Sequence, residues 1–335
     1  MDVVICALAL LSGMIGAGFA SGREILRFFA SHGAASSAAV LFACGGLYVL
    51  FLRLCRQMER CGAPSAGALC RARFGASFGR FSLFLFFLLS AITGGAMLAA
   101  CAELAALVLP LRRAWGLGLA VSLLAGAAMA LRGAGGLAAP GGALCLLLPV
   151  MFARLAALPP GEACFLPAMT PDIPVRAAAD GLCYAALNAA MLLGALPMLM
   201  QMPAPRRVLA VRLFCLLFGL LLVAGAAVCL RHMPAVIRQP LPFVALGRRL
   251  GGGYLLLAAC MYTAALSTLC AMLCAMMRML PLPRTASLAV SCCVCLAPAC
   301  VGFAPMVERV YPVLGAVCAG LLGLLCFAPA AAPPQ

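Results

Sequence analysis

The stretch Ile15-Gly-Ala-Gly-Phe-Ala-Ser-Gly-Arg-Glu-Ile-Leu-Arg27 decides how this chain is read, because it interrupts the first long apolar run, Val3 to Ala30. Gly16, Gly18, Ser21 and Gly22 weaken a helix at a depth where lipid supplies no substitute hydrogen bonds. Backbone opened at that depth has to line a protected cavity, where free N–H groups attract anions and free carbonyls attract cations. The stretch predicts a discontinuous membrane helix with a solute site at the break. Gly16, Ala17, Gly18, Phe19, Ala20 and Ser21 form its backbone lining.

Composition places the rest of the chain in the same solvent. Of 335 residues 66% are hydrophobic and only 9% charged, which excludes a soluble domain of ordinary surface chemistry and makes the lipid bilayer the first partner. The formal net charge of +15 comes without a single lysine, from arginines scattered singly or in pairs at the ends of apolar runs. That pattern anchors helices at the membrane surface and is not a nucleic-acid groove. The 20 cysteines lie mostly inside apolar runs, as Cys44, Cys101 and Cys270 do, and read as small hydrophobes. Cys292, Cys293, Cys295 and Cys300 include a CxxC pair but have no histidine nearby, so no metal site is expected there. Met1-Asp2 is followed at once by apolar residues, so no signal peptide is expected.

Runs of about 20 apolar residues recur roughly ten times. The expected spans are Val3 to Ala30 (broken), Ala34 to Leu52, Phe81 to Leu109, Ala114 to Leu131, Leu137 to Leu158, Gly181 to Met202 (interrupted), Val208 to Leu230, Gly251 to Met277, Thr285 to Phe303, and Val310 to Phe327. A long polar segment, Arg53 to Arg80, follows the second span, and another, Arg231 to Leu250, follows the seventh. The sixth span carries Tyr184, Asn188, Gly194 and Pro197 inside its apolar run. The expected architecture is all-α and polytopic: one transmembrane domain over residues 1–335, made of a repeat at about 3–158 and an inverted copy at about 180–327. Helices one and six are discontinuous in this reading. Arginines crowd the connection after the second span, which assigns that loop, and with it the N-terminus, to the cytoplasm.

Gly16-Ala-Gly-Phe-Ala-Ser-Gly-Arg-Glu24, with Ile25-Leu-Arg-Phe-Phe29 after it, resembles the opening segment of the YkvI family of bacterial membrane proteins. That family looks like a distant branch of the amino acid-polyamine-organocation superfamily, whose members have the leucine-transporter fold. The resemblance implies residence in the bacterial cytoplasmic membrane. It also implies a cation bound between first-span carbonyls and hydroxyls of the eighth span in an Ala-x-x-Ser/Thr-Ser/Thr pattern. Here that pattern is Ala264-Ala-Leu-Ser267-Thr268, and the partner carbonyls are those of Ser12 and Ile15. Sodium is then the one metal expected.

Acids inside a membrane are expensive and point to function. Glu103 in the third span and Glu24 just past the first break are candidates for carrying a coupling proton, or, for Glu24, a local pair with Arg23 or Arg27. Tyr184 and Asn188 share one face of the sixth span and are expected to bind solute beside the broken helix. The whole reads as a secondary transporter of a small polar organic solute, an amino acid or related zwitterion, driven by sodium or protons and with no other cofactor. A transporter fold serving as a sensor or assembly subunit is the alternative. A membrane enzyme is disfavoured: His32 and His232 are the only histidines, and no HExxH or G-x-S-x-G motif occurs.

Overall fold

The computed structural model describes residues 2–132, 138–160, 173–233, 235–251 and 253–328. Leu137, where the fifth span is expected to begin, and the proline-rich end at residues 329–335 lie outside them. The protein is an all-α polytopic membrane protein: among the described residues eight helices are long and apolar enough to cross a bilayer, and two shorter apolar helices, Val3–Met14 and Leu147–Ala156, accompany them. Helices dominate because a membrane leaves no water to satisfy backbone polar groups.

The first span is α1 (Val3–Met14), the single turn α2 (Ala17–Ala20) and α3 (Arg23–Phe28). The next four are α4 (Ser36–Cys61), α5 (Ala66–Val108), α6 (Ala114–Arg132) and α7 (Ala138–Ala156). The sixth is α8 (Ile173–Met191), a 3-10 stretch Leu192–Ala195 and α9 (Leu196–Met200). There follow α10 (Ala204–Arg231), the short α11 (Pro242–Gly247), α12 (Gly253–Met279), α13 (Arg284–Val301), α14 (Phe303–Pro305) and α15 (Tyr311–Phe327).

Neighbours in the bundle exchange when each of the first five spans is swapped for the one five later. Helix α4 packs on α8 as α10 packs on α1, and α15 packs on α8 as α7 packs on α1. Likewise α13 lies against α5 as α6 lies against α12, while α5 with α12 and α4 with α10 are each other's counterparts. The two long connections also match. Each contains a short helical stretch that ends at a left-handed glycine, Gly75 (φ 85°) before the third span and Gly251 (φ 66°) before the eighth.

The structure sharpens two readings. The polar segment Arg53 to Arg80 is mostly helical: α4 runs on to Cys61 and α5 starts at Ala66, so only the turn at Gly62 and Pro64 and the corner at Gly75 break the helix. Arginine and glutamate mark where a helix leaves lipid, and both are good helix formers that let it continue into water. In the sixth span, Tyr184 and Asn188 sit on regular α-helix, and the irregular part comes later, as a tightened 3-10 stretch around Gly194 before Pro197.

Candidate functional site

Asp2 caps α1 by accepting the Val4 N–H at 3.0 Å, and the helix then runs to Met14. At Ile15 (φ −81°, ψ 81°) the backbone makes an inverse γ-turn in which the Gly16 N–H donates to the Met14 carbonyl at 3.0 Å. In an unbroken helix that N–H would serve the Ser12 carbonyl. The Ile15 carbonyl receives no backbone N–H either, because helical bonding resumes with Ala20 N–H on Gly16 at 3.0 Å and Ser21 N–H on Ala17 at 2.8 Å. The turn thus takes the helical N–H away from the Ser12 and Ile15 carbonyls.

A second bend follows at Gly22 (φ 82°), a conformation glycine alone adopts without strain. Ser21 shapes it: its hydroxyl donates to the Gly18 carbonyl at 2.9 Å and accepts the Arg23 N–H at 3.2 Å, while its carbonyl accepts the Phe243 N–H of α11 at 2.8 Å. The break is therefore bonded to the connection that precedes the eighth span.

On that span, Ser267 and Thr268 both donate to the Ala264 carbonyl, at 2.9 and 3.0 Å. With their hydrogens turned inward along the helix, the hydroxyl lone pairs are free to face a cation. Thr268 reaches the break: its Oγ1 lies 3.5 Å from where a Cβ on Gly16 would stand. No corresponding contact joins Ser267 to Gly16.

The polar side chains around the break are arranged as follows. Glu24 is 8% exposed and its Oε2 accepts the Tyr184 hydroxyl at 3.1 Å; its Oε1 fills the space over Gly18, where a Cβ would overlap it. Asn188 is buried but donates to the Tyr184 carbonyl on its own helix at 2.9 Å. The expected local pairing of Glu24 with an arginine does not occur. Arg23 instead binds Glu308 and the carbonyls of Ile237 and Gln239, at 2.9 and 2.8 Å for the latter two. Arg27 binds Asp180 at 2.8 Å, and His32 reaches the same carboxylate oxygen at 3.1 Å. Glu103 accepts the Phe303 N–H at 2.9 Å, capping the helix that restarts after Gly302 (φ 91°), and its second oxygen is buried with no partner among the described residues.

Two groups escaped the sequence reading. The hydroxyls of Thr93 on α5 and Tyr311 on α15 are buried and lack hydrogen-bond partners among the described residues. A lone hydroxyl in an apolar run has no periodic signal. Only its proximity to an acid on another span distinguishes it.

Two grooves elsewhere, of about 570 and 520 Å³, are walled by side chains such as Leu8, Phe152 and Leu217 in one and Leu104, Val121 and Leu255 in the other. Their walls are apolar, so they suit hydrocarbon and not a zwitterion. Among the described residues no group of three or more His, Cys, Asp or Glu side chains is placed to hold a metal ion.

No family model matches this chain, and no curated protein matches it. It is similar to a solved structure described as the crystal structure of the Eremococcus coleocola manganese transporter in complex with an aromatic bis-isothiourea substituted compound. Identity is 13% and the TM-score 0.48, covering 96% of this chain and 76% of that one. The functional reading rests on the geometry of the break.

Proposed function

We propose that this chain is a secondary active transporter of a small polar organic solute, such as an amino acid or a related zwitterion, driven by sodium or protons. One observation carries the reading: a buried membrane helix is interrupted between Met14 and Ala17, and the released Ser12 and Ile15 carbonyls lie beside Gly16, which Thr268 approaches from the eighth span. Polar backbone freed inside a bilayer persists only where it meets protein or a polar occupant. Oxygen ligands from carbonyls and hydroxyls suit a hard cation, and the N–H groups at the start of α2 suit a carboxylate. An enzyme reading finds no comparable support.

The exchange of neighbours under a five-span shift supports two repeats, residues 3–158 and 180–327, inverted relative to each other because each has an odd number of spans. Alternating access follows from a bundle holding the first and sixth spans rocking against the rest. We place the protein in a bacterial cytoplasmic membrane with its N-terminus inside, on the arginine-crowded side.

The test is a thermal-shift screen of purified protein against the amino acids, with and without sodium, followed by uptake into proteoliposomes under sodium and proton gradients. A solute that raises the melting temperature and then accumulates supports the reading, since only a ligand of the folded state stabilises it. Binding without flux under either gradient would overturn transport in favour of a sensor or assembly role.

A further inference from the structure

Glu24 is a membrane-embedded acid that its surroundings leave without a counter-charge. The arginines on either side of it in sequence are engaged elsewhere, Arg23 with Glu308 and Arg27 with Asp180. Around the carboxyl stand hydroxyls and backbone. Tyr184 of α8 donates to Oε2 at 3.1 Å, and the Gly18 backbone lies against Oε1. The hydroxyls of Tyr311 on α15 and Thr93 on α5 are both buried and unpartnered among the described residues, and neither is hydrogen-bonded to the carboxyl.

Among the other titratable groups, Glu103 on α5 caps Phe303 through one oxygen and leaves the other buried and unpartnered among the described residues, Glu308 holds Arg23, and Asp180 on α8 holds Arg27 and His32. From α10 the ring of Phe218 stacks on Tyr184, 6.3 Å between centroids, and α11 presents Phe243 to Gly22.

An isolated carboxylate this deep is costly, and a bound proton removes the cost. The kind of neighbours matters. A hydroxyl both donates and accepts, so it serves a carboxylate in one state and a carboxylic acid in the other, whereas an arginine or a backbone N–H can only donate and leaves the acid's new O–H without an acceptor. We propose that Glu24 is the group that binds the coupled proton in this transporter, that Tyr184 holds its carboxyl in both protonation states, and that the unpartnered Tyr311 and Thr93 hydroxyls supply the acceptor the acid needs once its carboxyl turns toward them. The proposal rests on the transport reading above and names its ion. The proton enters from water and forms one O–H bond on Glu24. The new acid then turns to donate to the oxygen of Tyr311 or Thr93, while Tyr184 keeps donating to Oε2. Because Oε1 lies on Gly18, a change in this carboxyl is felt by the backbone that lines the solute site, which links the two occupancies.

Infrared titration of the purified full-length protein in lipid nanodiscs reads the proton directly, with pH as the only variable. On acidification the wild type gains a protonated-carboxyl band, which disappears in Glu24→Gln and reappears with a displaced midpoint in Glu24→Asp and in Tyr311→Phe. An unchanged band and midpoint in a folded Glu24→Gln protein would overturn the proposal, as would a Tyr311→Phe midpoint identical to wild type.

A second arm uses proteoliposomes with a trapped pH dye, to which a mixture of the twenty amino acids is added. Internal acidification that Glu24→Gln abolishes supports the carrier role. Acidification that survives in Glu24→Gln overturns it and leaves transport standing. A Glu24 band without acidification, in vesicles that still accumulate amino acids on a sodium gradient, also overturns the carrier role alone. If neither gradient drives uptake, the transport reading falls and this proposal falls with it.

Discussion

At Gly18 the missing side chain is what admits the Glu24 carboxyl to the broken segment, since a Cβ there would overlap it. Gly18→Ala is expected to expel the carboxyl from the backbone and weaken amino acid binding, and Gly18→Leu to abolish it, with the circular-dichroism spectrum unchanged. A normal ligand-induced thermal shift in Gly18→Leu would show the solute site to be elsewhere. At the eighth span the two hydroxyls are predicted to be unequal. Thr268 is the one that approaches Gly16, so Thr268→Val should weaken sodium-dependent stabilisation by about tenfold in apparent affinity, ~1.4 kcal/mol, and Ser267→Ala by less. The comparison is a sodium titration of the melting temperature; the reverse ranking would sink this assignment of ligands. Much of this was legible in sequence. Three glycines and a serine in seven positions announce a weak helix, and Ser267-Thr268 announces a polar spot. Thr93 and Tyr311 were not legible, because what makes them matter is the meeting of four spans around one acid.

Helix α8 is tightly seated between α4 and α15. A Cβ at Gly181 would run into the Ala39 carbonyl on α4, and one at Gly315 of α15 would stand 2.7 Å from the Cys183 carbonyl of α8. Small residues at such crossings let backbones approach where lipid offers no hydrophobic drive. Gly181→Leu is therefore expected to destabilise the protein by about 1–3 kcal/mol through overpacking, read as a lower melting temperature, while the same change at Gly320, open on all sides, should leave it unaltered. Helix α3 is held by Arg23, which serves two carbonyls as well as Glu308. Arg23→Ala should lower the melting temperature more than Glu308→Ala does; equal losses would mean that the carbonyl contacts contribute nothing. Sequence expected ten spans, where eight of the described helices are long and apolar enough to cross a bilayer and two shorter apolar helices accompany them. The charges between Arg53 and Arg80 report where lipid ends, which is a different question from where hydrogen bonding along the helix ends. In the interrupted sixth span the irregular backbone falls around Gly194, just before Pro197, two of the four residues that marked it in sequence. Tyr184 and Asn188 are polar groups that a regular helix can carry inward, whereas Gly194 and Pro197 alter the backbone itself.

Across the whole molecule, Arg207 at the start of α10 pairs with Glu59 at the end of α4 at 2.6 Å, and Arg23 pairs with Glu308 beyond the far end of the same helix. In both pairs the guanidinium is 6% exposed and the carboxylate 44–45% exposed. The opposed clasps thus have the same build, a dry cation gripped by a half-wet anion. Separating either one strands a buried positive charge until water reaches it, so opening is slow for a reason located on the arginine. What regulates it lies on the other partner. Mobile salt reaches the half-exposed acid and screens its field, so ionic strength acts as a throttle on both clasps at once. Hydrogen exchange at the amides of α3 and at the start of α10 should quicken together as sodium chloride is raised from millimolar to molar, and a matched dose of a neutral osmolyte should not reproduce the effect. Two clasps of this build tie the pace at which α3 and the start of α10 come loose to the ionic strength around each acid.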